Sequence, residues 1–193
     1  MSQHEAGAGS SPAPAFVRSG VAVRPALLDA PADRDAVAAM LADYLVITER
    51  EKGGRVSGAS ALPERYRREI EDPAAALAGT TVLIAEGEGE PLGMVVLAAP
   101  DLGRCEVKRL WTLPAARGRG VGASLIEAAC ELAAGRGDDV VALTVWRWRE
   151  GARRLYARLG FVEVDSWEAR ADLVCYARAL APAEAGRGGR ERS

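Results

Sequence analysis

The chain has 193 residues, of which 49% are hydrophobic and 27% charged, and its formal net charge is −2. That length suits one domain, and that apolar content suits a sizeable core rather than a wholly disordered chain. The charge argues against a protein that coats nucleic acid by bulk attraction, and the lack of any run of about 18 apolar residues argues against a transmembrane helix.

In chain order, residues 1–20 read as a disordered lead, without the basic start and apolar middle of a secretory signal. Val21–Arg24 reads as a short strand. Asp33 reads as the N-cap of a helix whose buried stripe is Val37, Met40, Leu41, Tyr44, Leu45 and Thr48, ended by Gly53 and Gly54. Leu62–Glu71 is a short helix stopped near Asp72-Pro73. Thr80–Glu86 and Leu92–Ala98 are strands, joined by a Gly-Glu-Gly-Glu-Pro hairpin turn. Arg104–Leu113 is a strand stopped by Pro114. Gly120–Ala134 is a helix with Val121, Leu125, Ala128, Ala129 and Leu132 on one face. Val140–Trp146 is a buried β-branched strand. Gly151–Leu159 is a helix capped by Gly160, and Phe161–Asp165 and Leu173–Leu180 are closing strands. From Pro182 a disordered tail, 182–193, is expected, which leaves 21–181 as the folded domain. The order predicts an α+β fold with one embedded parallel β-α-β unit.

Residue scarcity narrows the chemistry. The single histidine, His4, lies in the Gly/Ala/Ser/Pro-rich lead, which sets aside core histidine triads and histidine-ligated metals. Cys105, Cys130 and Cys175 are widely spaced and odd in number. That argues against a disulfide framework or a zinc site and fits a reducing cytoplasm, with no metal expected. Only Lys52 and Lys108 are lysines, so nearly all positive charge is arginine, which suits bidentate phosphate contacts or reflects a GC-rich coding sequence.

The informative segment runs from Leu113 to Gly122. A strand ends, Pro114 breaks it, and a Gly-rich arginine turn opens a helix. Gly118, Gly120 and Gly122 strip side chains from the turn, so backbone N–H groups can approach an anion closely. The helix N-terminus adds unpaired donors and about half a positive charge, and Arg117 and Arg119 add full charges. In physical terms this is a diphosphate cradle. From Arg104 to Arg158 eleven basic and six acidic residues give a local +5, against −7 elsewhere. A flexible loop with solvated arginines is the plain alternative. Gly118, Gly120 and Ala123 also fit the dinucleotide fingerprint G-x-G-x-x-A. Against that, Pro114–Arg117 separate strand from glycine, Trp146-Arg147 stand where a ribose-binding acid belongs, and only about 75 residues follow the turn, few for a doubly wound sheet.

Two further segments join this turn. Upstream is the run Cys105-Glu106-Val107-Lys108-Arg109-Leu110-Trp111-Thr112-Leu113-Pro114. Downstream, Ala152 to Phe161 reads A-x-x-L-Y-x-x-L-G-F. Together with Arg117-Gly118-Arg119-Gly120-Val121-Gly122, which matches the acyl-CoA motif Arg/Gln-x-x-Gly-x-Gly/Ala, they resemble the GCN5-related N-acetyltransferase (GNAT) superfamily. The resemblance covers about 21–181, its specific motifs 105–161. It implies a mixed, mostly antiparallel sheet of about six or seven strands, flanking helices and a splayed parallel strand pair. It implies acetyl-CoA as cosubstrate and an amine acceptor, with no nucleic acid or membrane partner; a homodimer is left open. Leu110, Trp111, Thr112 and Leu113 would pair with the pantetheine arm, and Arg117 through Ala123 would hold the pyrophosphate. Tyr156 would protonate the leaving thiolate; its plain alternative is a core tyrosine. For the base, Glu106 is chosen because its strand flanks the acyl group, the alternative being a salt bridge to a nearby arginine. Many relatives carry Asn where Arg149 stands, so that contact to pantetheine is in doubt. Trp146-Arg147-Trp148-Arg149 reads as half-buried tryptophans with solvated arginines, or as arginines that meet cofactor phosphates or an acidic acceptor. Tyr44, Glu49, Tyr66 and Glu168 are candidate acceptor contacts. A non-catalytic acyl-CoA sensor and a dinucleotide-dependent oxidoreductase are the other functional classes.

Overall fold

The computed structural model describes residues 16–181 except Ser19, so the predicted tail and residues 1–15 of the predicted lead lie outside the described residues. Eight strands form one sheet in the order β1-β2-β3-β4-β5-β6-β8-β7. They are β1 (Phe16–Arg18), β2 (Val21–Pro25), β3 (Thr81–Gly87), β4 (Glu90–Leu97), β5 (Arg104–Thr112), β6 (Val140–Trp146), β7 (Val162–Val164) and β8 (Leu173–Ala179). All neighbours are antiparallel except β5 and β6. The fold is thus α+β with one parallel pair, as the β-α-β order implied. The eighth strand is β1, which lies in the stretch read from sequence as lead: Phe16 pairs with Val23 and packs on the core.

The sheet is covered on both faces, and strand alternation shows why. In β3, Leu83 and Ala85 belong to one core cluster, with Leu125 and Ile126 of α4 (Val121–Gly135). Val82 and Ile84 belong to the other, with Val37, Leu41 and Leu45 of α1 (Pro31–Glu51). Successive side chains point to opposite faces, so a strand with two covered faces needs an unbroken apolar run. Each fully buried Leu or Ile contributes about 1.5–3 kcal/mol. Between β3 and β4, Glu88 and Gly89 both take positive φ (55° and 84°), the backbone of a tight two-residue hairpin.

Two helix starts differ from the sequence reading. Asp33 is not an N-cap; Ala30 holds that place, with Pro31 in the first turn. The Asp33 carboxylate instead accepts both Arg24 Nη1 and Nη2 at 2.7 Å and the Leu27 N–H at 2.7 Å, tying β2 to α1. Asp72-Pro73 does stop α2 (Glu64–Glu71), but Asp72 then caps a further short helix, α3 (Pro73–Ala76), by accepting from the Ala75 N–H at 3.1 Å. A last helix, α5 (Glu150–Arg158), precedes β7.

Candidate active site

The site begins where the parallel pair comes apart. β5 and β6 pair only from Arg104–Val140 to Val107–Leu143. Beyond that point β5 stays with β4 as far as Thr112, and β6 stays with β8 as far as Trp146. A bulge diverts β5: between Met94 and Val96 of β4, the register steps from Trp111 to Lys108. Arg109 takes the irregular position at φ 53°, a backbone state unfavourable to a residue with a Cβ. Glu69 of α2 holds its guanidinium through Nε at 2.7 Å and Nη2 at 2.9 Å. The opening between the strands is a cleft of about 290 Å³, bounded also by α1, α2 and the start of α5.

Beyond the end of β5 lies the glycine turn, and none of its residues is among those that line the cleft. Pro114–Ala116 form a single 3₁₀ turn and deliver an exposed Arg117–Gly120 segment to the start of α4. Gly118 and Gly120 have φ of 77° and 82°, which requires glycine or strain, and a Cβ at either would meet nothing within 4 Å. The turn is therefore open, not sealed. At Gly122 a Cβ would lie 3.3 Å from Leu155 Cδ2 and 3.6 Å from Thr112 Oγ1, so this residue lets α4 begin tight against the end of β5 and α5. No side chain caps the helix; Ser124 is the first residue to bond back, to the Gly120 carbonyl at 3.0 Å. The N–H groups of Val121, Gly122 and Ala123 are left as donors. The Arg117 guanidinium stands 5.1 Å from the centroid of the Trp111 ring, and neither Arg117 nor Arg119 has an ion pair among the described residues. Bare backbone, unspent donors and two unneutralised cations fit a diphosphate.

The predicted strand edge is narrower than expected. The Leu113 N–H bonds to the Leu92 carbonyl at 2.9 Å and its own carbonyl accepts from Ala116 at 2.9 Å, so Leu113 has both backbone groups engaged. By the alternation of an antiparallel ladder, Trp111 likewise faces β4, and Thr112 turns its N–H and C=O to the open edge. Leu110 lines the cleft. Trp111 has a packing role: its ring meets Tyr44 edge-on at 6.3 Å, and its buried Nε1–H has no hydrogen-bond partner among the described residues.

Tyr156 lies on α5 and lines the cleft, 5% exposed. Its ring rests between Phe161 at 5.9 Å and Tyr176 at 6.2 Å, so the residue is both the core tyrosine of the plain reading and a cleft residue. Burial pushes its phenol well above the ordinary tyrosine value. Tyr44 adds to the rise and the Arg149 guanidinium opposes it. Glu106 lines the same cleft from β5 and is ion-paired at 3.0 Å with Lys108, not with an arginine. Of the candidate acceptor contacts, Tyr44, Tyr66 and Glu168 line the cleft, while Glu49 does not and pairs with Lys52. Arg149 turns away from the glycine turn: its Nε donates to Glu51 Oε2 and its Nη2 to Thr48 Oγ1, each at 2.7 Å. Trp146 and Trp148 stack at 4.8 Å, as half-buried and exposed rings beside it. The sequence reading did not assign Thr48, Lys52, Glu69 or Arg170 to the site. Thr48 and Glu69 have partners on distant segments, Arg149 and Arg109, whereas Lys52 and Arg170 pair locally, with Glu49 and Glu168, and are brought to the cleft by the fold.

The profile of the Acetyltransferase (GNAT) family matches residues 43–161, which span the cleft from Tyr44 to the end of α5. The chain belongs to this family. An uncharacterized N-acetyltransferase of Archaeoglobus fulgidus is 38% identical over 84 residues, 39% of this chain and 56% of that protein. One of Methanocaldococcus jannaschii is 35% identical over 88 residues, 42% of this chain and 39% of that protein. The chain thus matches less than two thirds of either relative's length. Among solved structures, a GNAT-family acetyltransferase of Staphylococcus aureus superposes with a TM-score of 0.63 at 15% identity, over 83% of this chain and 99% of that one. A PaiA N-acetyltransferase of Thermoplasma acidophilum in complex with coenzyme A gives 0.63 at 14% identity with the same coverage. These two likenesses are of fold. Among the described residues no helix is long and apolar enough to cross a membrane.

Proposed function

We propose that the chain is an acetyl-CoA-dependent N-acetyltransferase that moves an acetyl group to a primary amine by direct attack in a ternary complex. The observation that carries this reading is the parting of β5 from β6, which opens a cleft with a buried tyrosine in its wall while β5 itself runs on into a bare glycine turn. The Thermoplasma relative's complex with coenzyme A supports a CoA thioester as donor.

The thioester supplies an activated acyl carbon. The backbone donors of Val121, Gly122 and Ala123, with Arg117 and Arg119, hold the diphosphate. Leu110 and Thr112 offer strand-edge groups to the amide-bearing arm, in the manner of an added strand. An ammonium acceptor, with a pKa near 10 for a lysine-like amine, must lose a proton before attack. Glu106 takes that proton, directly or through one water, by the carboxylate oxygen that Lys108 leaves open. Tyr156 gives its proton to the departing sulfur. Its raised pKa keeps it protonated at neutral pH, as a general acid requires.

Thiol release from acetyl-CoA in the presence of an amine panel tests the reading. The protein's own thiols leave the signal clean: all three cysteines are buried, and burial pushes Cys105 and Cys130 up to about 11. Amine-dependent release, with saturable binding of acetyl-CoA and none of NAD(P), supports the enzyme. Binding without release with any amine points to a sensor instead, and binding of NAD(P) alone overturns the reading.

A further inference from the structure

Five cations line the cleft away from the glycine turn: Lys52, Lys108, Arg109, Arg149 and Arg170. Each is held by one carboxylate, in turn Glu49, Glu106, Glu69, Glu51 and Glu168. Only two of those carboxylates, Glu106 and Glu168, themselves line the cleft. The five pairs are neutral as a set, but the charged side chains that line the cleft are five cations and two carboxylates, so both signs face inward with the positive in excess.

Two of its guanidiniums are fixed with donors to spare. Arg149 spends Nε on Glu51 and Nη2 on Thr48; Thr48 donates its own proton to the Tyr44 carbonyl at 2.6 Å and so is committed as acceptor. Arg109 spends Nε and Nη2 on Glu69. Nη1 of each has no partner among the described residues. The two groups come from opposite sides of the cleft and stand 5.5 and 5.7 Å from the centroid of one ring, that of Tyr44.

We propose that the acceptor is a small zwitterion, a primary amine that also carries a carboxylate, and that Arg149, with Arg109, receives the carboxylate. The assignment rests on the N-acetyltransferase reading above and names its acceptor class. A polyanionic acceptor calls for cations without paired carboxylates, of the kind that Arg117 and Arg119 supply at the turn, whereas each of these five is paired. A polyamine calls for surplus inward carboxylates. Inward cations that are each already paired, with Glu106 and Glu168 facing in beside them, fit a molecule that carries one carboxylate and one amine. A carboxylate also matches the planar N–H edge of a guanidinium. The existing bonds to Glu51, Thr48 and Glu69 fix those edges in advance, which lowers the ordering cost of binding. At about 290 Å³, the cleft must also take the reactive end of the donor, so the acceptor is small.

Matched amines test this at saturating acetyl-CoA: an α-amino acid, its amide with the carboxylate charge removed, and a diamine of similar length, read by thiol release. The amino acid is expected to exceed the amide in kcat/KM by about 10-fold or more. Arg149→Gln should bring that ratio towards one, and Arg149→Lys should keep part of it. Because each ratio is taken within one variant, a general loss of activity cancels. If Arg149→Gln does not fold, the wild-type and Arg149→Lys ratios still decide. An amide or diamine that equals the amino acid in the wild type overturns the assignment, as does a ratio that survives Arg149→Gln. Failure of every amine to release thiol, with acetyl-CoA still bound, overturns instead the acetyltransferase reading on which it rests.

Discussion

The glycine turn and the charged cleft are built by opposite means. At the glycine turn, side chains are removed: Gly118 and Gly120 present open backbone, and Arg117 and Arg119 carry charge that no carboxylate neutralises among the described residues. Around Tyr44, side chains are added and locked, each cation to its own carboxylate. On the proposed function, the difference follows from what each region would hold. A diphosphate is the same on every cycle, strongly anionic, and well served by main-chain donors. An acceptor must be told from its neighbours, which takes side chains of defined position.

Tyr156 lines the cleft but pairs with none of its cations among the described residues, so its removal should spare the binding of both substrates. Tyr156→Phe is expected to lower kcat by about 10²–10³ while each KM changes little. The sign of its pH dependence is fixed by burial. The folded pKa is raised, the useful form is the protonated one, and that form is lost only as pH rises through the raised value. Wild-type kcat should therefore show no alkaline fall from this group below about pH 10, the ordinary tyrosine value. A pH–rate series for both proteins checks this, and an unaltered kcat in Tyr156→Phe removes the general acid.

The next largest effect should be confined to the glycine turn. Gly120→Val places a β-branched side chain at φ 82° and projects it into the open face of the turn. Strain of about 1–2 kcal/mol and the lost approach together predict acetyl-CoA binding weaker by about 30- to 100-fold. Calorimetry on the variant, set beside its acceptor selectivity in turnover, separates the two regions. If the amino acid–amide ratio also collapses, the two regions are not independent.

Glu106→Gln should cost less, about 10-fold in kcat/KM at neutral pH. A free amine needs no base, so the deficit should shrink as pH approaches the acceptor's own pKa. A deficit constant with pH would assign Glu106 to its ion pair with Lys108 rather than to proton transfer.

The same contrast explains what could be read from the sequence. The turn Arg117–Gly122 is a local device: its glycines, its arginines and the helix they open are adjacent in the chain, so composition alone exposes it. The seven strands from Val21 onward and the buried faces of α1 and α4 follow from periodicity for the same reason. The two arginines beside Tyr44 have remote partners. Arg149 reaches Thr48 and Glu51 across about a hundred residues, and Arg109 reaches Glu69 across 40. No local pattern records such pairs. Asp33 misled for a related reason: an acid at the start of a helix looks like a cap, but Arg24, one strand away, claimed its carboxylate. The bulge at Arg109 was equally hidden, because it depends on how β5 fits β4 and not on the residues of β5 alone.

The smallest expected effect comes from an ion network outside the cleft, where paired charge serves the fold only. The Arg24 guanidinium, followed by the Leu27 N–H, holds the Asp33 carboxyl below its ordinary pKa, against the opposing effect of partial burial. A depressed folded pKa contributes stability above the unfolded value of about 3.8 and loses it as pH falls through the folded one. Asp33→Asn should therefore unfold more easily at pH 7, by about 1–2 kcal/mol once exposure of the pair is allowed for. The gap to wild type should begin to narrow as pH falls through about 3.8 and close only through the lower folded value, and urea midpoints at pH 7 and along a falling acid series measure both. The acceptor ratio should not move in this variant. A change there would mean that ion pairs at the start of α1 set the geometry around Tyr44, further along the same helix, and that the cleft's charged wall cannot be treated apart from the network joining β2 to α1.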